Sequence, residues 1–132
     1  MATLSDAARA KLEAPNLGYL ATVMPDGSPQ VTPVWVDLEG DLVLVNTATR
    51  RVKARNMRRE PRVAISIASN DNPFDKVDIR GRVAEWIEGD EAYAHIDKLA
   101  QKYLGQEKYP WLQPGEERVI VKIEPEAVSE LG

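Results

Sequence analysis

Seven of the chain's 17 lysines and arginines fall in one run, NTATRRVKARNMRREPR, from Asn46 to Arg62: Arg50, Arg51, Lys53, Arg55, Arg58, Arg59 and Arg62. A single acid, Glu60, sits among them, and the protein as a whole carries a net charge of -4, so the run is a local reversal of sign. Cations gathered in this way hold a phosphate or carboxylate through charge-assisted hydrogen bonds. Residues Arg51 to Arg59 contain no Gly or Pro and one β-branched residue, Val52. That composition predicts a short helix, with Thr47 or Thr49 as its cap and Pro61 as its stop. Positive side chains in a first turn oppose the helix macrodipole, whereas the free N–H groups there attract an anion. A solvated basic face is the plainer reading of such a run. A helix decorated only for solubility, however, carries acids first and bases last, and this one carries bases throughout.

The rest of the reactive inventory is thin. Cysteine is absent and histidine occurs once, as His95. Disulfides, thiol nucleophiles, iron–sulfur clusters and the usual zinc sites are thereby excluded. A Ser–His–Asp arrangement would have to use His95, which falls inside a predicted amphipathic helix, with no nucleophile motif around any serine. No catalytic residue and no metal ligand is assigned. If the protein is an enzyme, a cofactor carries its chemistry. Nucleic-acid binding fits poorly, because the pI of about 5.1 and the compactness of the basic run point to one small anion rather than a phosphate track.

The elements that must position the run can be read in order. At 132 residues the chain is expected to be one domain, 1–132. Its N-terminus, MATLSDAARAKLE, lacks the basic start and apolar block of a secretory signal, and no apolar stretch approaches a membrane span, so a cytoplasmic protein is expected. Ser5 to Glu13 reads as a capped helix, and Leu17 to Met24 and Pro29 to Asp37 as two strands of a hairpin around the turn Pro25-Asp26-Gly27-Ser28. Pro33 within the second strand requires an edge, a bulge or the approach of something other than a strand. Leu42 to Asn46 is nearly all apolar, hence buried on both faces, and it delivers the chain to the basic helix.

Val63 to Ala68 is the next strand, and Asp75 to Ile87 alternates around Gly81, which marks a bend or a close backbone approach. Asp90 caps a helix to Leu104, closed by Gly105, with Ala92, Ile96, Leu99 and Tyr103 as its buried stripe and His95 at its border as a structural or surface side chain. Tyr109, Pro110 and Trp111 in the following loop either cap the barrel end or line a pocket. Arg118 to Ile123 is the last strand. Strands joined by short turns give a mainly β protein, an antiparallel barrel with peripheral helices, and the absence of a GxGxxG fingerprint speaks against a dinucleotide-binding fold.

Residues 18 to 67, from GYLATVMPDG to RREPRVAISI, together with VDIRGRVAEW, resemble the split β-barrel flavoproteins of the pyridoxamine 5'-phosphate oxidase-like superfamily, whose fold is FMN-binding-like. Within it, the length and the pair Lys102-Tyr103 followed by Tyr109-Pro110-Trp111 resemble the small oxidoreductases that use the deazaflavin coenzyme F420. The resemblance implies a cofactor-binding set. Thr32, Pro33, Val34 and Trp35 would lie along the cofactor ring. Asn46 and Thr47 would end the buried strand beside the ribityl chain and phosphate. Arg50, Arg51 and Lys53 would hold the phosphate, with Asn56 one turn further on. The Arg51-x-Lys53 spacing resembles the deazaflavin branch, whereas the flavin oxidases show an adjacent Arg-Lys, so F420 is the expected cofactor and FMN the alternative. The resemblance further implies a homodimer with the groove at its interface, to which Lys76 and Arg80 would be the partner's contribution. The expected reaction is hydride transfer to a planar conjugated small molecule such as a biliverdin-like tetrapyrrole, a quinone or a nitro-aromatic. A protein that binds the cofactor without turnover is the non-enzymatic alternative.

Overall fold

The computed structural model describes residues 1–130. Its elements run α1 (Asp6–Glu13), β1 (Gly18–Val23), β2 (Pro29–Val34), β3 (Val36–Glu39), β4 (Leu42–Ala48), α2 (Val52–Arg59), β5 (Arg62–Ala68), β6 (Lys76–Glu88), α3 (Asp90–Leu104) and β7 (Arg118–Ser129). The strands form one seven-stranded sheet in the order β2-β1-β5-β6-β7-β4-β3, antiparallel at every pairing. The sheet curls into a half-barrel with three helices around it, as the sequence predicts.

Alternation along the strands fills the inside of the curl. Leu20, Val36, Val43, Val45, Ile65, Ile79 and Val121 meet there, and α1 covers one end with Leu12. On the outside of β4 and β7, Leu44 and Ile120 pack against Ala92 of α3 in a second, small cluster. The apolar run of β4 is therefore buried on both faces, as its composition requires. Gly81 meets the expected close approach. A Cβ there would stand 2.3 Å from the Glu124 carbonyl oxygen across the β6–β7 pair, where the register shifts at a bulge. Ser5 caps α1 by accepting from the Ala8 N–H, and Gly105 ends α3 in the left-handed conformation.

Three local expectations need correction. The strand expected over Pro29 to Asp37 is two strands, because Trp35 pairs with nothing and the chain crosses there from one sheet edge to the other. At the crossing the Val36 N–H donates to the Tyr103 hydroxyl, 3.0 Å away, and a side chain from α3 thus takes part in the pairing. Helix α2 is capped by neither threonine. Thr47 lies in β4, and Arg51 occupies the cap position without a side-chain bond. Gly89, with φ of 81°, precedes α3, so that Asp90 is its first residue rather than its cap. Pro33 falls on β2, an edge strand, where its missing N–H costs no ladder bond. Among the described residues no helix is long and apolar enough to cross a membrane.

Candidate functional site

A cavity of about 320 Å³ opens where the end of β2, the end of β4, the start of α2, the start of β7 and the 105–117 loop converge. Two kinds of wall face each other. One is aromatic. Trp35, freed from both strands, stacks on Tyr103 with centroids 5.3 Å apart and planes 6° from parallel. Tyr109 meets Trp35 edge-on at 6.0 Å, and Trp111 leans over both, 6.2 Å from Trp35 and 5.8 Å from Tyr109. Such contacts fix ring orientation while leaving π faces available to a planar guest. Tyr103 is committed to structure. Its hydroxyl donates to the Asn16 carbonyl at 2.7 Å and accepts from Val36, and burial pushes its pKa up to about 12. Next to it Lys102 holds the Leu12 and Val36 carbonyls, and burial lowers its pKa to about 8.

The other wall is cationic. Arg51 and Lys53 reach in from the start of α2, and Arg118 from the start of β7. Arg118 is 5% exposed, its charge compensated by Glu116 at 2.5 Å and its Nε donating to Asn46 Oδ1 at 2.9 Å, with its guanidinium lying over the Tyr109 ring. The side chains of Arg51 and Lys53 make no hydrogen bond or ion pair among the described residues, although the Arg51 charge is felt by Glu116. Burial, then the nearby charges of Arg51 and Arg118, lower the Lys53 pKa below the ordinary lysine value. An uncompensated, half-buried lysine beside two arginines is an environment that an anion would relieve. Between the walls, the buried Thr47 Oγ1 has no hydrogen-bond partner among the described residues, a cost a ligand acceptor or donor would remove.

Behind Arg118 a polar chain runs through the protein. Asn46 Nδ2 donates to the Ala92 carbonyl at 2.9 Å and lies 3.1 Å from His95 Nδ1, and His95 Nε2 lies 3.0 Å from Asp37 Oδ2. Lys98 donates to the same Asp37 oxygen at 3.0 Å. Burial pushes the Asp37 pKa up, but the bonds from His95, Lys98 and the Leu38 N–H outweigh it and hold the carboxyl well below the usual carboxylate range. His95 is thus a satisfied, buried side chain, as its place in the helix suggests.

Of the residues expected to bind cofactor, Pro33, Val34, Trp35, Asn46, Thr47, Arg51 and Lys53 line this cavity. Thr32 lies one residue outside it, paired with Leu20 on β2. Arg50 lines a separate, smaller depression that shares Arg51 with the cavity. Asn56 is turned inward: its Nδ2 donates to Thr22 Oγ1 at 3.0 Å and its Oδ1 accepts from Arg59, so its place is in the core between α2 and β1. Lys76 is bonded to Asp78, and Arg80 lines a separate depression on the outer sheet face with Ala21 and Ala127; neither reaches the cavity of its own chain. Arg118, Leu17 and Ile96 also line the cavity; none was expected at the site, and Ile96 was read from the sequence as part of the buried stripe of α3. Nothing in RVIVKI distinguishes Arg118 from an ordinary strand-end charge until Asn46 and Glu116 are seen beside it. Tyr109 and Trp111, left open between capping and lining, line it. The donor set, the orphaned hydroxyl and the ring platform together fit a planar cofactor carrying a phosphate.

Comparison with known proteins gives the family. A structure described as an F420 reductase is 33% identical, superposes with a TM-score of 0.83, and is matched over 96% of this chain and 99% of its own. A conserved hypothetical protein from Mycobacterium tuberculosis (24% identity, TM-score 0.70, 96% of this chain and 83% of that one) shares the fold. So does a putative pyridoxamine 5'-phosphate oxidase from Listeria innocua (24% identity, TM-score 0.67, 91% of each chain). The sequence profile of pyridoxamine 5'-phosphate oxidase matches residues 4–132, nearly the whole length. On that match, and on a half-barrel sheet whose seam holds a cation-lined cavity, the chain belongs to the pyridoxamine 5'-phosphate oxidase-like family of flavin-type oxidoreductases.

Proposed function

We propose that the cavity binds the deazaflavin coenzyme F420 and that the protein is an F420-dependent reductase of a planar, conjugated small molecule, of the kind represented by biliverdin-like tetrapyrroles, quinones and nitro-aromatics. The observation that carries this reading is the unpartnered Lys53, half-buried beside Arg51 and Arg118 at one end of a cavity whose other end is the Trp35 platform. Likeness to the F420 reductase over nearly the full length of both chains supports the choice of cofactor. F420 supplies hydride transfer from its ring and, unlike a flavin, reacts little with oxygen.

The chain's own residues then bind, orient and exclude water. Lys53 and Arg51 would take the phosphate, Thr47 Oγ1 would gain the partner it lacks, and Pro33 and Val34 would flank the ring. Trp35, Tyr109 and Trp111 present apolar faces to a flat acceptor and keep water from the transfer. We place a second copy of the chain against the mouth of the cavity. Lys76 and Arg80, on the outer face of the sheet, are the residues such a copy would contribute.

The test is a titration of the purified protein with F420 and separately with FMN, followed by cofactor and tryptophan fluorescence. Tight F420 binding with weak FMN binding, and reduction of a conjugated acceptor by reduced F420, is the expected result. Tight FMN binding with weak F420 binding would move the protein to the flavin branch. Binding without turnover of any acceptor would make it a carrier of the coenzyme.

A further inference from the structure

The chain from Asp37 to Arg118 admits only one arrangement of hydrogens. Arg118 Nε can only donate, so the Asn46 atom facing it at 2.9 Å is the amide oxygen. The Ala92 carbonyl can only accept, so the atom facing it, also at 2.9 Å, is the amide nitrogen. The same nitrogen faces His95 Nδ1 at 3.1 Å, which must therefore be an acceptor without a hydrogen. The hydrogen of the neutral ring then sits on Nε2 and is donated to Asp37 Oδ2 at 3.0 Å. A carboxylate at that distance ordinarily invites a histidine to become an imidazolium. Here the second proton would enter at Nδ1 and set two donors face to face. Turning the amide over would only move the conflict to Arg118 Nε.

We propose that His95 is a positioning residue of the cavity, held as the neutral Nε2–H tautomer between Asp37 and Asn46 so that the Asn46 amide keeps Arg118 in the cationic wall. Protonation of the ring and the placement of Arg118 are then two ends of one linkage. His95 and Asn46 are 8% and 9% exposed, so no solvent replaces a lost partner cheaply. The charged groups around the ring are Asp37 and Glu39 on β3, Glu91 and Lys98 on α3, and Arg118 and Lys122 on β7, with Lys122 neutralised by Glu39. The significance of Arg118 for ligand binding rests on the cofactor reading above, but the tautomer and the linkage belong to the protein alone.

Histidine occurs once in the sequence, which makes the test direct. In protein labelled with [15N]histidine and [15N]arginine, the ring nitrogens at neutral pH should show an unprotonated Nδ1 and a protonated Nε2. As the pH is lowered and the ring protonates, the Arg118 Nε–H resonance should shift or broaden in step with it, while that of Arg58, which is bound to Glu88 on the far side of α2, should not. The near-isosteric Asn46→Asp places an acceptor against the ring, so Nδ1 should gain a hydrogen. A protonated Nδ1 in the wild type at neutral pH, an Arg118 signal indifferent to ring protonation, or an Nδ1 left bare in Asn46→Asp would each overturn the proposal. A protein that bound neither F420 nor FMN yet gave the expected spectra would overturn the proposed function and leave this linkage standing.

Discussion

The two halves of the basic run look alike in sequence and do different work. Arg58 donates to Glu88 at 3.1 Å and lies 3.8 Å over the Trp86 ring, Arg59 holds the Val23 carbonyl and the Asn56 amide oxygen, and Arg62 is paired with Glu60 at 2.6 Å. These cations tie α2 and the start of β5 to their surroundings. Arg51 and Lys53, at the other end, make no side-chain hydrogen bond or ion pair among the described residues and face the cavity. A charge that is already paired cannot be recruited cheaply by a ligand, and one that is buried without a partner is waiting for it. Pairing, rather than charge density, separates binding residues from scaffold.

Substitution should break this contrast cleanly. Lys53→Ala is expected to weaken cofactor binding by about 1.5–3 kcal/mol, the scale of a charge-assisted hydrogen bond, with thermal stability no lower than that of the wild type, since burial and the neighbouring cations disfavour the lysine charge in the fold. An unaltered dissociation constant would remove Lys53 from the phosphate site. Asn56→Ala should cost about 1–3 kcal/mol of folding stability, because Thr22, Met24 and Arg59 lose a buried partner; urea unfolding measures it. If Asn56→Ala instead left the unfolding midpoint in place and abolished binding, its role would be at the ligand after all.

The contrast can also be sharpened by pH. Burial and neighbouring cations lower the Lys53 pKa in the folded protein, so the unfolded chain binds more protons between that value and the ordinary 10.5. The Lys53 contribution to stability should therefore rise with pH through that interval, and Lys53→Met should lack the rise. Anion binding needs the charged form, so affinity should fall over the same interval. A difference in melting temperature between wild type and Lys53→Met that stays flat with pH would contradict the assigned environment. Arg58→Ala, at the scaffold end, should change stability by less than about 1 kcal/mol and leave cofactor affinity alone, since its pair is exposed.

How far the sequence discloses this depends on the range of the interactions. Strands and helices with clear periodicity, the Ser5 cap and the Gly105 stop are local, and they stand as read, whereas the close approach at Gly81 is to Glu124 on another strand and only its glycine marked it in the sequence. The break at Trp35 is not local. It depends on Tyr103, 67 residues from Val36, whose hydroxyl takes the Val36 N–H. Asn56 matched a family position, yet only the packing of α2 on β1 shows its amide spent on Thr22. Arg118 reads as a strand-end charge until the β4–β7 pairing brings the two strands together and sets its guanidinium on Asn46, 72 residues back in the chain. The cationic wall was therefore legible in part, and its third cation, Arg118, supplied by another strand, was not.

Strands β2 and β3 are consecutive in the chain and lie at opposite edges of the sheet, joined by Trp35 alone. That residue is both the hinge pin of the barrel's seam and a wall of the cavity. Fraying of either edge strand would pull on the same tryptophan, so the first step of local unfolding should also be the step that empties the site. A bound ligand would then act as a clasp, and amide hydrogen exchange should slow together in β2 and β3 when the cavity is filled, while the strands in the middle of the sheet keep their rates.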